Sequence, residues 1–163
     1  MSAEIAVRAI DEADRRWLTE FMTERWGAPE MVAHGSIYRV DRLPGLIAED
    51  PDGTVAGVAT WEITGDACEL LSIDAVREGE GVGSALLEAA CGAAAAAGCR
   101  RMRLITTNDN LRALGFYQRR GFTLRELRPG AVDEGRRLKP EIPLVAENGI
   151  PIRDEIVLER PLS

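Results

Sequence analysis

The sequence predicts an α/β domain of the α+β kind, with about seven strands and about four helices. Three observations carry that expectation. Residues 46–49, 54–63 and 67–76 read as a meander, joined by the turns Asp50-Pro51-Asp52-Gly53 and Thr64-Gly65-Asp66. The third of these strands runs straight into a glycine-rich loop and a long alanine-rich helix. Beyond that helix, strand and helix alternate again. The chain has 163 residues, 45% of them apolar, which suits a single domain over 1–163 with an adequate core.

Taken in order, residues 4–8 alternate, with Ile5 and Val7 on one face, and form a first strand. Asp11 is a plausible N-cap for a helix to about Arg25, whose apolar stripe is Trp17, Leu18, Phe21 and Met22. Phe21 and the tryptophans Trp17 and Trp26 are expected in the core. Residues 30–34 suggest a further helical turn before Gly35. The meander follows, and its last strand is expected to carry Glu69, Leu71 and Ile73 on one face. The next helix runs from Ser84 to Gly98, a suitable C′ residue. Residues 102–106 are a strand, Asn108-Asp109-Asn110 offers caps for a helix over 111–120, and 122–127 returns as a strand. Residues 128–153 change character, with four prolines and the basic cluster Arg136, Arg137 and Lys139. A short helix near 131–138 fits there. A connection this long is usually functional or mobile. Residues 154–159 form the last strand.

The most informative stretch is Glu78-Gly79-Glu80-Gly81-Val82-Gly83-Ser84. Alternating glycines let backbone N–H groups turn to one side with no Cβ in the way. The helix that follows adds unpaired N–H groups and the positive end of its dipole. The combination is a seat for a phosphate or pyrophosphate. It is not a Walker loop, because Ser84-Ala85 follows Gly83 where Lys-Ser/Thr is needed. It is not a dinucleotide fingerprint either, since Leu86 stands where the last glycine belongs and the strand ends a meander.

Composition narrows the classes further. Net charge is −7, with no basic stripe, which argues against nucleic acid and mildly favours an amine-bearing partner. No apolar run approaches the ~20 residues that span a bilayer, and the N-terminus lacks the pattern of a signal peptide. A soluble, cytoplasmic protein with no membrane partner is expected. Cys68, Cys91 and Cys99 have no metal-like or CxxC spacing and should be reduced, mostly buried thiols. His34 is the only histidine, so no histidine-rich metal site is expected; in a polar loop it should simply be solvated.

The segment from Leu71 through the glycine loop to Leu87 resembles the acetyl-CoA-binding segment of the GNAT N-acetyltransferase superfamily. The family pattern Gln/Arg-x-x-Gly-x-Gly/Ala falls on Glu78, Gly81 and Gly83. A second stretch, Asn110-Leu111-Arg112-Ala113-Leu114-Gly115-Phe116-Tyr117-Gln118-Arg119-Arg120-Gly121-Phe122, is similar to the family's Asn-x-x-Ala-x-x-Phe-Tyr-x-x-x-Gly-Phe. The resemblance implies a central, mixed, mostly antiparallel and twisted sheet, with acetyl-CoA as acyl donor and no metal. It implies an N-acetyltransferase acting on a primary amine of a small molecule or protein, by direct attack in a ternary complex. Homodimers are common in the family. Glu78 departs from the usual Gln or Arg; as the family contact is largely through backbone amides, Glu78 is read as a backbone donor.

By the same resemblance Gly79, Glu80, Gly81, Val82, Gly83 and Ser84 hold the pyrophosphate. Ser72, Ile73 and Asp74 lend backbone groups to the pantetheine arm and thioester carbonyl. Asn110 has two readings, helix cap and ligand to the cofactor arm, and Ala113 lies beside it. Acetyl transfer to an ammonium needs a base, an oxyanion site and an acid for the leaving thiolate. Tyr117 is the candidate acid, although it could merely pack beside Phe116. Glu69 is the candidate base, directly or through water, with Glu62, Asp154 and Glu155 as competitors. Residues 128–153, by their length and their arginine cluster, are expected to shape the acceptor site; the alternatives for those arginines are the cofactor's 3′-phosphate and solvent. The competing function is a non-catalytic acyl-CoA-binding regulatory domain. A phosphate-loop nucleotidase lacks its lysine.

Overall fold

The computed structural model describes residues 4–77 and 79–163. The described chain forms two compact units. The first holds everything described up to Pro29, with Arg39–Met102 and Leu162–Ser163; the second holds Glu30–Tyr38 and Arg103–Pro161.

In the first unit, β1 (Ala6–Ala9), β4 (Gly45–Glu49), β5 (Val55–Thr64) and β6 (Ala67–Ala75) pair in the order β1-β4-β5-β6. All three pairings are antiparallel. In β5 the stretch Ala56–Trp61 is buried throughout. Helix α2 (Val82–Ala96) packs on β4, β5 and β6 through Val82, Leu86, Leu87, Ala90, Cys91 and Ala94. Its end is a Schellman motif: Gly98 has φ +93°, its N–H reaches Ala95 O at 3.0 Å, and Cys99 N–H reaches Ala94 O at 2.9 Å.

Helix α1 (Arg15–Trp26) buries Leu18 and Met22, and Gly27 stops it with φ +85°. Asp11 does not start this helix; it precedes a one-turn 3-10 helix over Glu12–Asp14. Asp14 accepts from the Asp11 N–H and from Arg8, and the Arg8 hydrogen bond is the main reason its carboxyl falls to about 2. Trp26, expected in the core, is 37% exposed.

Asp41 lies in the 3-10 turn Val40–Arg42 and is 1% exposed. Burial pushes its pKa up, but hydrogen bonds from Arg39 and Thr19 outweigh this and hold it below the ordinary value. A depressed carboxyl stabilises the fold above its unfolded pKa of about 3.9 and loses that contribution as pH falls. Asp41→Asn should therefore cost about 1.5 kcal/mol at neutral pH, the low end for charged hydrogen bonds because Arg39 is 42% exposed. It should also flatten the acid limb of a denaturant-midpoint titration between about pH 5 and 2. An acid limb as steep as wild type would exclude Asp41 as its source.

In the second unit, β7 (Arg101–Thr107, from Arg103 on), β9 (Glu155–Pro161) and β8 (Thr123–Arg128) follow in the order β7-β9-β8. Helices α3 (Leu111–Gln118) and α4 (Ala131–Gly135) belong to it. The expected class therefore holds, with seven strands in β1, β4–β9 and four α-helices among the described residues. The predicted turn at 30–34 is not helical. β2 (Glu30–Ala33) and β3 (Ser36–Arg39) form a two-stranded pair, turning through His34 (φ 53°) and Gly35 (φ 71°). Two consecutive left-handed residues suit a tight hairpin. His34 is not simply solvated: its Nδ1 lies 2.7 Å from Arg128 Nη1.

The long connection is organised by Arg136. Its guanidinium donates to Ile142 O (3.2 Å), Ile152 O (2.7 Å), Pro143 O and the Asp133 carboxylate, so it faces neither a phosphate nor bulk solvent. Lys139 Nζ donates to Glu30 O at 3.0 Å. The three cysteines are free and buried, as expected, and burial is the first cause that pushes the Cys68 thiol up to about 12. Among the described residues no helix is long and apolar enough to cross a membrane.

Candidate functional site

The first unit brings together Glu69, Ser72, Ile73, Asp74 and the glycine loop on one continuous stretch of chain. β6 is not a regular strand. Ser72 pairs with Thr60 and Leu70 pairs with Trp61, so Leu71 is an extra residue, a bulge. Glu69, opposite Glu62, therefore shares a face with Ser72 and Asp74, while Ile73, opposite Ala59, joins Leu70 and Cys68. This overturns the expected shared face of Glu69 and Ile73. A strictly alternating strand would have separated Glu69 from Ser72.

On that face Ser72 Oγ hydrogen-bonds Thr60 Oγ1 at 2.5 Å. Asp74 is bound by α1: Arg25 donates from Nε (2.8 Å) and pairs with it ionically through Nη2 (2.8 Å), and the Trp26 indole donates at 3.2 Å. Its carboxylate is thus occupied, leaving its backbone for any ligand. Sequence reading missed Arg25, Trp26 and Thr60. Arg25 and Trp26 lie 49 and 48 positions from Asp74, and no local pattern signals such a pairing.

The loop has the geometry that an anion needs. Gly79 (φ +77°) and Gly81 (φ +80°) are left-handed, and a Cβ on either would meet open space. Gly81 is the N-cap of α2 and supplies no capping side chain. First-turn N–H groups have no intrahelical partner, so their dipoles are available to a phosphate. A pyrophosphate-bearing cofactor fits this end of α2. Arg77, just ahead of the loop, binds Asp50 and Glu80. Those two hydrogen bonds, Asp50 first, raise its pKa further. Glu78 lies outside the described residues.

The second unit brings together Asn110, Ala113 and Tyr117 on α3. Asn110 is the N-cap, and its Oδ1 accepts from the Ala113 N–H at 3.2 Å. Ala113's donor is therefore already engaged. Tyr117 is 8% exposed and packs edge-on between Phe116 (5.2 Å) and Phe122 (5.4 Å). Burial raises its pKa well above the usual 10. Its hydroxyl makes no hydrogen bond to a described residue. Of the competing bases, Asp154 accepts from the Gly130 N–H at 2.8 Å, and Glu155 is buried with Arg128 at 3.9 Å. A groove of about 360 Å³ on β8 and β9 is lined by Leu124, Arg125, Glu126, Leu127 and Ile156, none of them an expected site residue.

Comparison with known proteins gives this geometry a context. Residues 12–122 match the model of the acetyltransferase (GNAT) family. The uncharacterized protein YdhI of Bacillus subtilis (strain 168) is 46% identical over 153 residues, 94% of this chain and 96% of that protein. Among solved structures, an IAA acetyltransferase from Bacillus cereus ATCC 14579 superposes with a TM-score of 0.74 at 25% identity, covering 98% and 100% of the two chains. A Bacillus subtilis acetyltransferase in complex with CoA gives 0.70 at 19% identity over 98% and 100%, a likeness of fold.

Proposed function

The chain belongs to the acetyltransferase (GNAT) family, and on that premise we propose that it moves the acetyl group of acetyl-CoA to a primary amine by direct attack in a ternary complex. The observation that carries this reading is the uncapped, glycine-led start of α2 directly after bulged β6. Gly79, Glu80, Gly81, Val82, Gly83 and Ser84 hold the pyrophosphate, chiefly through backbone N–H groups. Backbone groups of Ser72, Ile73 and Asp74 meet the pantetheine arm and thioester. Asn110 caps α3 and supports the arm, with Ala113 beside it.

Glu69 takes the ammonium proton, directly or through water, and the free amine adds to the thioester carbonyl. Collapse of the tetrahedral adduct expels the CoA thiolate as the adduct nitrogen gives its second proton to solvent; Tyr117 returns a proton to the thiolate and is itself reprotonated from solvent. A buried phenol suits that step because it stays protonated at neutral pH. The whole chain acts as one transferase domain in the cytoplasm, with residues 128–153 shaping the acceptor site.

The test is thiol release from acetyl-CoA across a panel of primary amines, beside a calorimetric titration with CoA and mass spectrometry of the product. Binding without turnover on any amine would favour a regulatory CoA-binding domain. For the base, Glu69→Gln should lower kcat at fixed pH about 10²-fold, within the range for general-base loss, and leave acetyl-CoA affinity nearly unchanged. Wild-type turnover in that variant removes Glu69 from the mechanism.

A further inference from the structure

A loop that receives a pyrophosphate here carries a carboxylate, Glu80, between its two left-handed glycines. A negative charge in that position opposes the anion that the backbone attracts. Arg77 removes the conflict. Its Nε donates to the Glu80 carboxylate, and its Nη2 donates to both oxygens of Asp50 at 2.7 and 2.9 Å.

Asp50 is itself firmly held, in the turn between β4 and β5. Its N–H donates to Thr54 O (2.8 Å), its carbonyl accepts from Gly53 N–H (2.9 Å), and Asp52 Oδ1 accepts from Thr54 N–H (2.9 Å). One guanidinium thus ties the loop to a rigid hairpin and cancels its acidic side chain. Arg77 is 42% exposed and Glu80 50%, and ion pairs so exposed add little to folding stability. Stability therefore does not account for the Glu80 half of this arrangement, whereas placement of charge at an anion seat does; the Asp50 half, with that carboxylate 14% exposed, anchors the guanidinium.

We propose that Arg77 is a positioning residue for acetyl-CoA, acting through Glu80 and Asp50 rather than as a phosphate ligand. This rests on reading the loop as the CoA site. The experiment is calorimetric titration of CoA into wild type, Arg77→Gln, Glu80→Gln and the double variant, at about 0.05 M and about 0.3 M salt. Arg77→Gln should weaken binding about tenfold at the lower salt and less at the higher. It should raise KM for acetyl-CoA by the same factor while leaving kcat at saturation in place. Glu80→Gln should bind at least as tightly as wild type, and the double variant should recover most of the loss. Arg77→Lys, which keeps the charge without the fork, should fall between. Equal binding by wild type and Arg77→Gln overturns the inference alone, as does a double variant no better than Arg77→Gln. Failure of wild type to bind CoA overturns the loop reading, and this inference falls with it.

Discussion

Replacing Tyr117 by phenylalanine is expected to lower kcat on the order of 10²-fold or more, with affinity for CoA within about twofold of wild type. The substitution keeps the ring that packs edge-on against Phe116 and Phe122 and removes only the hydroxyl. Stability should move little, because that hydroxyl has no described hydrogen-bond partner to lose. Acetyl transfer would slow at the point where the thiolate must gain a proton. Because burial raises the phenol's pKa, wild-type turnover should show no loss from tyrosine ionisation up to about pH 10, the ordinary value. The same shift fixes a stability trend. Tyr117 favours the folded state below its unfolded pKa of about 10, and that contribution is lost as pH rises toward the higher folded value. Turnover by thiol release and melting by circular dichroism check both parts. Wild-type kcat in Tyr117→Phe would leave the ring as packing alone.

Gly57→Ala should lower both stability and cofactor affinity. Gly57 sits on β5, where a Cβ would come within 2.7 Å of Asp74 O and 2.9 Å of both Leu86 Cδ1 and Val82 Cγ1. The first of those neighbours is backbone and cannot swing aside. The other two belong to the first turns of α2, the helix whose start forms the anion seat. Relief requires α2 to lift from β5 or β5 to part from β6. Overpacking of this kind costs about 1–3 kcal/mol, roughly 2–12 °C in Tm for a chain of this size. CoA binding should weaken along with it, since the donors of α2 would shift from their present positions. An unchanged Tm would mean that the added methyl finds room, and the link from β5 to the loop would fail.

Much of this was legible from local chemistry. The meander could be read because alternation and the Asp50–Gly53 turn are short-range signals, and α2 because an alanine-rich run closed by Gly98 has one obvious structure. The glycine loop was legible for the same reason, since the backbone conformations it needs are written in residue type. Other features depend on partners distant in sequence. The β2–β3 hairpin was missed because its turn is His34-Gly35, not Asn-Gly or Asp-Gly. Trp26 looked like core, yet its indole finds Asp74 across 48 positions. Arg136 looked like part of an acceptor-shaping cluster, with phosphate or solvent as its alternatives, yet four groups of its own connection absorb it. The face of Glu69 was misjudged because pairing between β5 and β6, not the sequence of β6, decides where the alternation slips.

That slip at Leu71 makes β6 two half-strands read in opposite phase. A length change matters there more than a substitution. Deleting Leu71 would restore a regular ladder and leave Glu69 on the face of Ser72 and Asp74, because both halves already follow the alternation of β5. Inserting one residue between Thr60 and Trp61 would instead give Leu71 a partner and turn one half over: either Glu69 would exchange faces with Leu70, or Ser72 and Asp74 would leave Thr60, Arg25 and Trp26. Chimeras that graft β6 from a relative therefore need the count of residues kept on each side of Leu71; matched identity alone does not preserve the geometry.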